Sequence, residues 1–396
     1  MARKPAAPEA TEDSSTAAAP AKPGKKPAAK RPQFAAIDSM MAVYTLADIG
    51  EPERTSFGNP ALDFVTGGGI PRGMITEVFG VKGSGKTLSA LRLTKEAIAG
   101  DPDDWALYLD AERTVSQSLA AINNIHADLW GRILVIRTNV AEVCIGLMEA
   151  ALTGDMKSDL SGYVNTESLK GIIEAMGRPP AIVVWDSLAM SLPVTEMEQG
   201  ATDNVGYPML PRVLGRKMPR LVSQFETAGI PLVVANHIRQ NLKNTFSNEF
   251  ITPGGEFMQH CYALRMETSR SIEKKGPEQV STHTLTVRKS KIAGANEGFS
   301  AQFRLSRVTG FDMVAALLDG VAVPLGLIEK GNAGYYTWRD LRFQAGTIAR
   351  LRESAPLLVE DVRNATGLPA LGGVALDEWA AGIASASSGS IPADGE

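Results

Sequence analysis

The octapeptide Gly80-Val81-Lys82-Gly83-Ser84-Gly85-Lys86-Thr87 has the form G-x-x-x-x-G-K-T, and its neighbours are what such a loop needs. Before it, Ile75-Thr76-Glu77-Val78-Phe79 reads as a short buried strand. After it, Leu88 to Ala99 reads as a helix stopped by Gly100, Asp101 and Pro102. Glycines in such a loop let successive backbone N–H groups turn inward around a polyphosphate, and the helix N-terminus adds positive potential. Gly80 to Thr87 is therefore expected to cradle a nucleoside triphosphate. Lys86 would reach the β/γ-phosphates and the Thr87 hydroxyl would hold Mg²⁺.

Outward from this loop the pattern over 56–308 is α/β. Strands are expected at 75–79, 105–110, 133–137, 181–186, 231–236, 263–270, 283–289 and 300–306. Helical stretches separate the earlier strands, which implies crossovers and a mostly parallel sheet. The last three follow one another closely and are expected to extend that sheet in antiparallel fashion. Residues 34–55 offer one short helix, Phe34 to Tyr44. Residues 309–366 turn to helical periodicity around an aromatic segment, Tyr335-Tyr336-Thr337-Trp338, and read as a small C-terminal domain. Beyond Gly367 the sequence returns to Gly, Ala and Ser and is expected to fray.

The chain has 396 residues, 44% of them hydrophobic, enough for a large core and a smaller domain beside it. Its net charge of −4 is unevenly spread: residues 1–33 carry seven Lys/Arg against three Asp/Glu. That Ala/Pro/Lys segment lacks the apolar side chains to offset the entropy of ordering, and reads as a disordered basic arm. Either a solubilising tail or a weak tether to nucleic acid or a partner would suit it. Overall acidity leaves any nucleic-acid site to local charge. Cys144 and Cys261 form neither a disulfide framework nor a metal-ligand spacing, and fit a reducing compartment. Neither a signal peptide nor a membrane-spanning run is visible, so a cytoplasmic location is expected, with no membrane partner.

Two acidic strand ends go with the loop. The run Ala181-Ile182-Val183-Val184-Trp185 ends in Asp186, placed as a Walker B aspartate beside the phosphate loop to orient Mg²⁺. Asp110-Ala111-Glu112 ends the strand after the phosphate-loop helix, and Glu112 is the candidate general base for an attacking water. A helix-cap neighbour or a surface charge is the plainer reading of Glu112.

Gly58-Asn59-Pro60-Ala61-Leu62-Asp63 and Gly67-Gly68-Gly69-Ile70-Pro71-Arg72-Gly73 lead into the phosphate loop. Asp110-Ala111-Glu112, Asp186-Ser187, Asn236-His237-Ile238-Arg239 and Thr252-Pro253-Gly254-Gly255 follow it. Then come Arg288-Lys289-Ser290-Lys291-Ile292-Ala293, Gly310-Phe311 and Leu327-Ile328-Glu329-Lys330. In that order, over roughly 34–366, the chain resembles the RecA family of homologous recombinases. The resemblance implies a RecA-like P-loop NTPase core with a mostly parallel central sheet extended by antiparallel strands, a short N-terminal helix and a small α+β C-terminal domain. It implies an ATP- and Mg²⁺-dependent, DNA-dependent ATPase that forms a helical homo-oligomeric filament on single-stranded DNA and exchanges strands with double-stranded DNA in recombination and repair. A single-strand-binding or mediator protein would be a further partner.

Carried over by position, Glu112 matches the family's water-activating glutamate, and Asn236-His237 its γ-phosphate sensor, with His237 where bacterial members have glutamine. Lys289 and Lys291 match a pair that reaches the neighbouring subunit's nucleotide; a solvated basic strand end is the plain alternative. The first DNA loop would run from Glu196 to Tyr207, including Gly200, into Arg212, Arg216 and Arg220 at four-residue spacing on one helix face, which Pro219 would bend. The second would run from Arg239 to Gly255 with Lys243, Phe246, Phe250 and Gly254, cations for phosphates with aromatic wedges between them. Three features depart from the bacterial pattern: Leu119 stands where an adenine-stacking aromatic is expected, 154–178 reads as an insertion, and the acidic C-terminal tail is reduced. With His237, these are more like a phage-encoded member of the family. A RecA-fold ring helicase, or a nucleotide-gated recombination mediator with little turnover, would be the rival readings.

Overall fold

Strands β1 (Ile75–Gly80), β2 (Ala106–Asp110), β3 (Ile133–Ile136), β4 (Ile182–Asp186), β5 (Leu232–His237), β6 (Tyr262–Lys274), β7 (Gln279–Ser290), β8 (Ser300–Ser306) and β9 (Gly310–Phe311) form one sheet. Their order is β9-β8-β7-β6-β1-β5-β4-β2-β3. The computed structural model describes residue 46 and residues 49–154, 165–198, 209–240, 250–274, 279–306, 310–344 and 354–385. By internal contacts the chain divides into units Met1–Gly50 and Glu51–Glu396, and every element named here belongs to the second. The arm 1–33 and the helix expected over Phe34 to Tyr44 lie outside the described residues.

Burial on both faces explains the near-continuous apolar runs of the central strands. In β4, Ile182 and Val184 enter one core layer while Val183 and Trp185 enter the other. In β2, Ala106 and Tyr108 oppose Leu107 and Leu109 in the same way. Each large side chain so buried contributes about 1.5–3 kcal/mol. Helix α1 (Pro60–Thr66) and helix α2 (Lys86–Ala99) feed the first layer. Helices α3 (Ala141–Thr153) and α5 (Met209–Ala228) feed the second. Between these two lies α4 (Thr166–Ala175), inside the expected insertion, of which residues 155–164 are not described.

The expected strands are all present, but the sheet differs from expectation in one respect. β6 runs parallel to β1, and only β7, β8 and β9 are added antiparallel. The connection from β5 to β6 carries helix α6 (Gly255–Cys261) and is long enough for a crossover, where an antiparallel neighbour needs only a hairpin.

A third core forms around Leu317, Val321, Ile328, Tyr336, Trp338 and Phe343. The segment past Gly367 was expected to fray, yet Gly373–Ser385 is a helix, α8, packed beside α7 (Ala355–Thr366). Leu371, Leu376 and Ala380 belong to the third core, so this Ala-rich segment has enough apolar contacts to order. It is also tied to the sheet domain: the Gly372 N–H donates to the buried Asp63 carboxylate at 2.9 Å.

Candidate functional site

Register brings the acidic and polar strand ends together. Gly80 pairs with His237 across β1 and β5, and Asp110 with Asp186 across β2 and β4. The C-terminal ends of four parallel strands thus converge, the usual place for a ligand in such a sheet.

The loop after β1 has the geometry its glycines promise. Gly83 and Gly85 take φ of 75° and 112°, and Gly85 caps the N-terminus of α2. Val81, Lys82 and Gly83 are exposed, whereas Ser84, Gly85 and Lys86 are buried. Lys86 Nζ donates back to the carbonyls of Gly80 at 3.2 Å and Val81 at 3.0 Å. Burial lowers its pKa against the opposing pull of Glu112 and Asp186.

Thr87 Oγ1 donates to Asp186 Oδ2 at 2.7 Å, and Tyr108 OH donates to the same oxygen at 2.8 Å. The other oxygen, Asp186 Oδ1, is buried without a partner among the described residues. Burial raises the Asp186 pKa to about 6, only partly offset by the two hydroxyl donors. A hydroxyl and an orphaned carboxylate oxygen are hard donors that suit Mg²⁺, which binds proteins through few carboxylates together with phosphates and water. Among the described residues there is no cluster of three His, Cys, Asp or Glu to hold a metal by protein ligands alone.

Glu112 stands over this pair. Its backbone N–H and that of Ala111 donate to the Asp186 carbonyl at 3.3 and 2.7 Å. Its Oε1 accepts from Ser187 Oγ at 2.5 Å and lies 2.5 Å from His237 Nε2. Burial pulls the carboxyl up, but the Ser187 and His237 hydrogen bonds and the Lys86 charge together hold it below its ordinary value. Asp110, by contrast, shapes the turn: it accepts from the Thr114 and Val115 N–H groups and from Arg137.

Asn236 connects this site to the second loop. Its Nδ2 donates to Glu77 Oε1 and to the Pro253 carbonyl, both at 2.9 Å, and its Oδ1 accepts the His237 N–H. Glu77 is fully buried, and its Oε2 accepts from Arg265 Nε at 2.6 Å, while Arg265 reaches Thr252 Oγ1 at 3.2 Å. A carboxylate in the middle of a buried strand needs such partners.

The two loops meet at their bases. Gly254 and Gly255 take φ of 111° and 77°, and a Cβ on Gly255 would stand 2.9 Å from Pro211 at the start of α5. Arg239–Gln240 pairs antiparallel with Phe250–Ile251, closing the second loop. Gly200, Lys243 and Phe246 lie outside the described residues, as does the Phe250 side chain. Arg212, Arg216 and Arg239 are exposed. Arg220 is committed elsewhere, paired with Glu149 of α3 at 2.9 Å. Pro219 sits inside α5 without ending it.

Lys289 Nζ donates to the Gln259 carbonyl at 2.5 Å, and Lys291 Nζ donates to that of His260. Both lysines therefore hold the C-terminal carbonyls of α6, a favourable place for cations. Leu119 is half-buried in a short helix, Gln117–Ile122.

Residues 36–154 match the family model for the RecA N-terminal domain. Protein RecA of Aquifex aeolicus is 26% identical over 318 residues, which cover 78% of this chain and 83% of that one. Protein RecA of Thermus thermophilus is 28% identical over 314 residues, covering 77% and 82%. The chain is similar to these RecA proteins over most of its length. A crystal structure of the RadB recombinase aligns with 65% of this chain and 98% of its own at 18% identity and a TM-score of 0.44.

Several residues of the site were not singled out from sequence. Tyr108 and Ser187 flank Asp186 and Glu112; a tyrosine inside a strand carries no pattern of its own, and Ser187 entered only as the neighbour of Asp186 in the Asp186-Ser187 pair, with no role of its own. Glu77 did leave a signal, a charge inside an otherwise buried strand, and its partner Arg265 lies within another expected strand. The buried His283 has the same character.

Proposed function

We propose that this protein is an ATP-dependent homologous recombinase that assembles as a helical filament on single-stranded DNA and exchanges strands with a homologous duplex. The observation that carries this reading is the constellation at the strand ends. Thr87, Tyr108 and Asp186 form one hydrogen-bonded group, and Glu112 and His237 form another beside it. Gly80 to Thr87 would enclose the triphosphate, and Lys86 would exchange its present carbonyl partners for phosphate oxygens. Mg²⁺ held by Thr87 and Asp186 would neutralise phosphate charge. Glu112 would take the proton of the attacking water, and His237 would donate to the terminal phosphate.

Lys289 and Lys291 would complete the charge at a neighbouring subunit's nucleotide, so turnover would depend on assembly. DNA would lie over the two loops, held by Arg212, Arg216 and Arg239, with the second loop's aromatics between bases. His237 and Leu119 are the grounds for placing the chain nearer phage-encoded members. The test is ATP turnover with and without single-stranded DNA, read beside electron microscopy and a strand-exchange assay. Helical filaments and DNA-stimulated hydrolysis are expected, and Lys86→Ala should abolish both. Rings would favour a helicase, and negligible turnover a mediator.

A further inference from the structure

Ser84 and Gly85 share one planar trans peptide, so the Ser84 C=O and the Gly85 N–H point in opposite directions. Whatever holds that carbonyl outward holds the N–H inward, toward the centre of the loop. The Ser84 carbonyl lies 2.8 Å from Nδ1 of His283, a residue of β7 that is only 1% exposed. On the far side of the ring, Nε2 lies 3.0 Å from Ser281 Oγ, and the ring stacks on Phe303 at 5.1 Å with 9° between planes. A carbonyl can only accept, so the ring nitrogen facing it must carry the proton; in a neutral ring Nε2 is then the acceptor, and the Ser281 hydroxyl is nearer to it than to its other acceptor, the Leu305 carbonyl at 3.4 Å.

We propose that His283 is a positioning residue of the phosphate loop, a neutral Nδ1–H tautomer that fixes the Ser84–Gly85 peptide so that the Gly85 N–H faces the bound phosphates. The inference rests on the nucleotide-binding reading above. The contact is close: a Cβ on Gly85 would stand 2.6 Å from His283 Nδ1, so glycine and imidazole fit together here. A second brace lies beside it, since Ser84 Oγ and Thr268 Oγ1 of β6 are 2.7 Å apart. Burial depresses the His283 pKa, in keeping with an uncharged ring. The strands added to the parallel sheet thus have a task besides closing its edge. β7 also carries Lys289 farther along, with Lys291 just past its end, so this strand and its exit link the chain's own phosphate loop to the lysines at the end of α6.

His283→Phe keeps the ring and its stack but removes the donor, whereas His283→Asn keeps an N–H near the position of Nδ1. With fluorescent ADP and Mg²⁺, without DNA, the Phe variant should bind about tenfold more weakly, the weight of one hydrogen bond. The Asn variant should recover most of that loss. Wild-type affinity in a stably folded Phe variant overturns the proposal, as does an Asn variant no better than Phe. Should the Phe variant fail to fold, ¹⁵N spectra of the ring nitrogens in the wild-type chain still decide. A protonated Nδ1 with bare Nε2 is expected, and the opposite tautomer refutes it. Absence of any ADP binding that Lys86→Ala removes would sink the nucleotide reading itself, while the ring-nitrogen spectrum would still judge the His283 contact.

Discussion

His237 Nε2 and Glu112 Oε1 lie 2.5 Å apart, and the same carboxylate oxygen also accepts the Ser187 hydroxyl. An oxygen with two such partners is poorly placed to take a proton from water until one of them moves. On the proposed nucleotide-binding reading the terminal phosphate would compete for His237, since an imidazole N–H can serve either oxygen. Glu112→Gln should keep nucleotide affinity near wild type while hydrolysis falls at least about 100-fold, the usual weight of a general base. His237→Ala should free Glu112 but remove the phosphate contact, so basal turnover survives and stimulation by DNA is lost. Steady-state phosphate release beside ADP binding checks both, and undiminished hydrolysis by the Gln variant would refute the role of Glu112.

Asp186 makes a pH prediction. Its carboxyl is raised from 3.8 to about 6, chiefly by burial. The folded apo chain therefore keeps a proton that the unfolded chain has released. On this account apo stability falls as pH rises from about 4 to about 6 and is level above that. Mg²⁺ needs the ionised form and competes with the proton, so binding of its nucleotide complex should weaken by up to about tenfold per unit below pH 6. The thermal shift given by Mg²⁺ and ADP should accordingly be larger at pH 7.5 than at pH 5.5. Asp186→Asn should flatten that difference, and an unchanged pH dependence in the variant would count against the assignment.

How much was legible in the sequence follows from how local each signal is. The loop from Gly80 to Thr87 and the strand-end acids Glu112 and Asp186 are specified by short contiguous patterns, and the register of four parallel strands brings them together. The buried pairings were not legible, because they join residues far apart in the chain. Arg265 lies 188 positions from Glu77, and His283 lies 199 from Ser84. The parallel course of β6 was missed for a related reason: the chain preceding it reads as one long loop, and the seven-residue α6 inside it is too short to show a period. α8 was missed because nearly half of its residues are alanine or glycine, and its order depends on Leu371 and Leu376 finding a distant core.

The arginine row on α5 separates into two kinds of residue. Arg212 and Arg216 are exposed, while Arg220 pairs with a nearly buried Glu149. A cation that neutralises phosphate releases counterions, so its loss should reduce the salt dependence of single-strand binding by about 0.7 in the log–log slope. Arg212→Ala and Arg216→Ala should each show this. Arg220→Ala should leave the slope alone and instead lower stability by up to about 1 kcal/mol, since Arg220 is half exposed and solvent screens the pair. Fluorescence anisotropy of a labelled oligonucleotide across a salt series, with thermal melts of each variant, distinguishes the two outcomes. A slope lowered equally by Arg220→Ala would mean that the pair with Glu149 opens on DNA.

The C-terminal helix α8 is predicted to be part of the folded unit and not a dispensable tail. Leu376 is fully buried, and the Gly372 N–H just before the helix donates to Asp63, which also accepts from the Phe57 N–H at 2.7 Å and from Ser56 Oγ at 2.5 Å. Asp63 lies on the segment leading to the phosphate loop, so α8 is held by apolar packing and by a buried carboxylate at once. Leu376→Ala should cost about 2–5 kcal/mol, the range for emptying a packed leucine site. Deleting residues 368–396 should cost more, because it exposes the face of α7 that α8 covers and leaves Asp63 short of one donor in a buried setting. Deleting only 386–396 serves as the control and should leave the melting temperature unchanged. If the longer deletion melts like the full chain, the helix contributes nothing to stability and its contact with Asp63 is incidental.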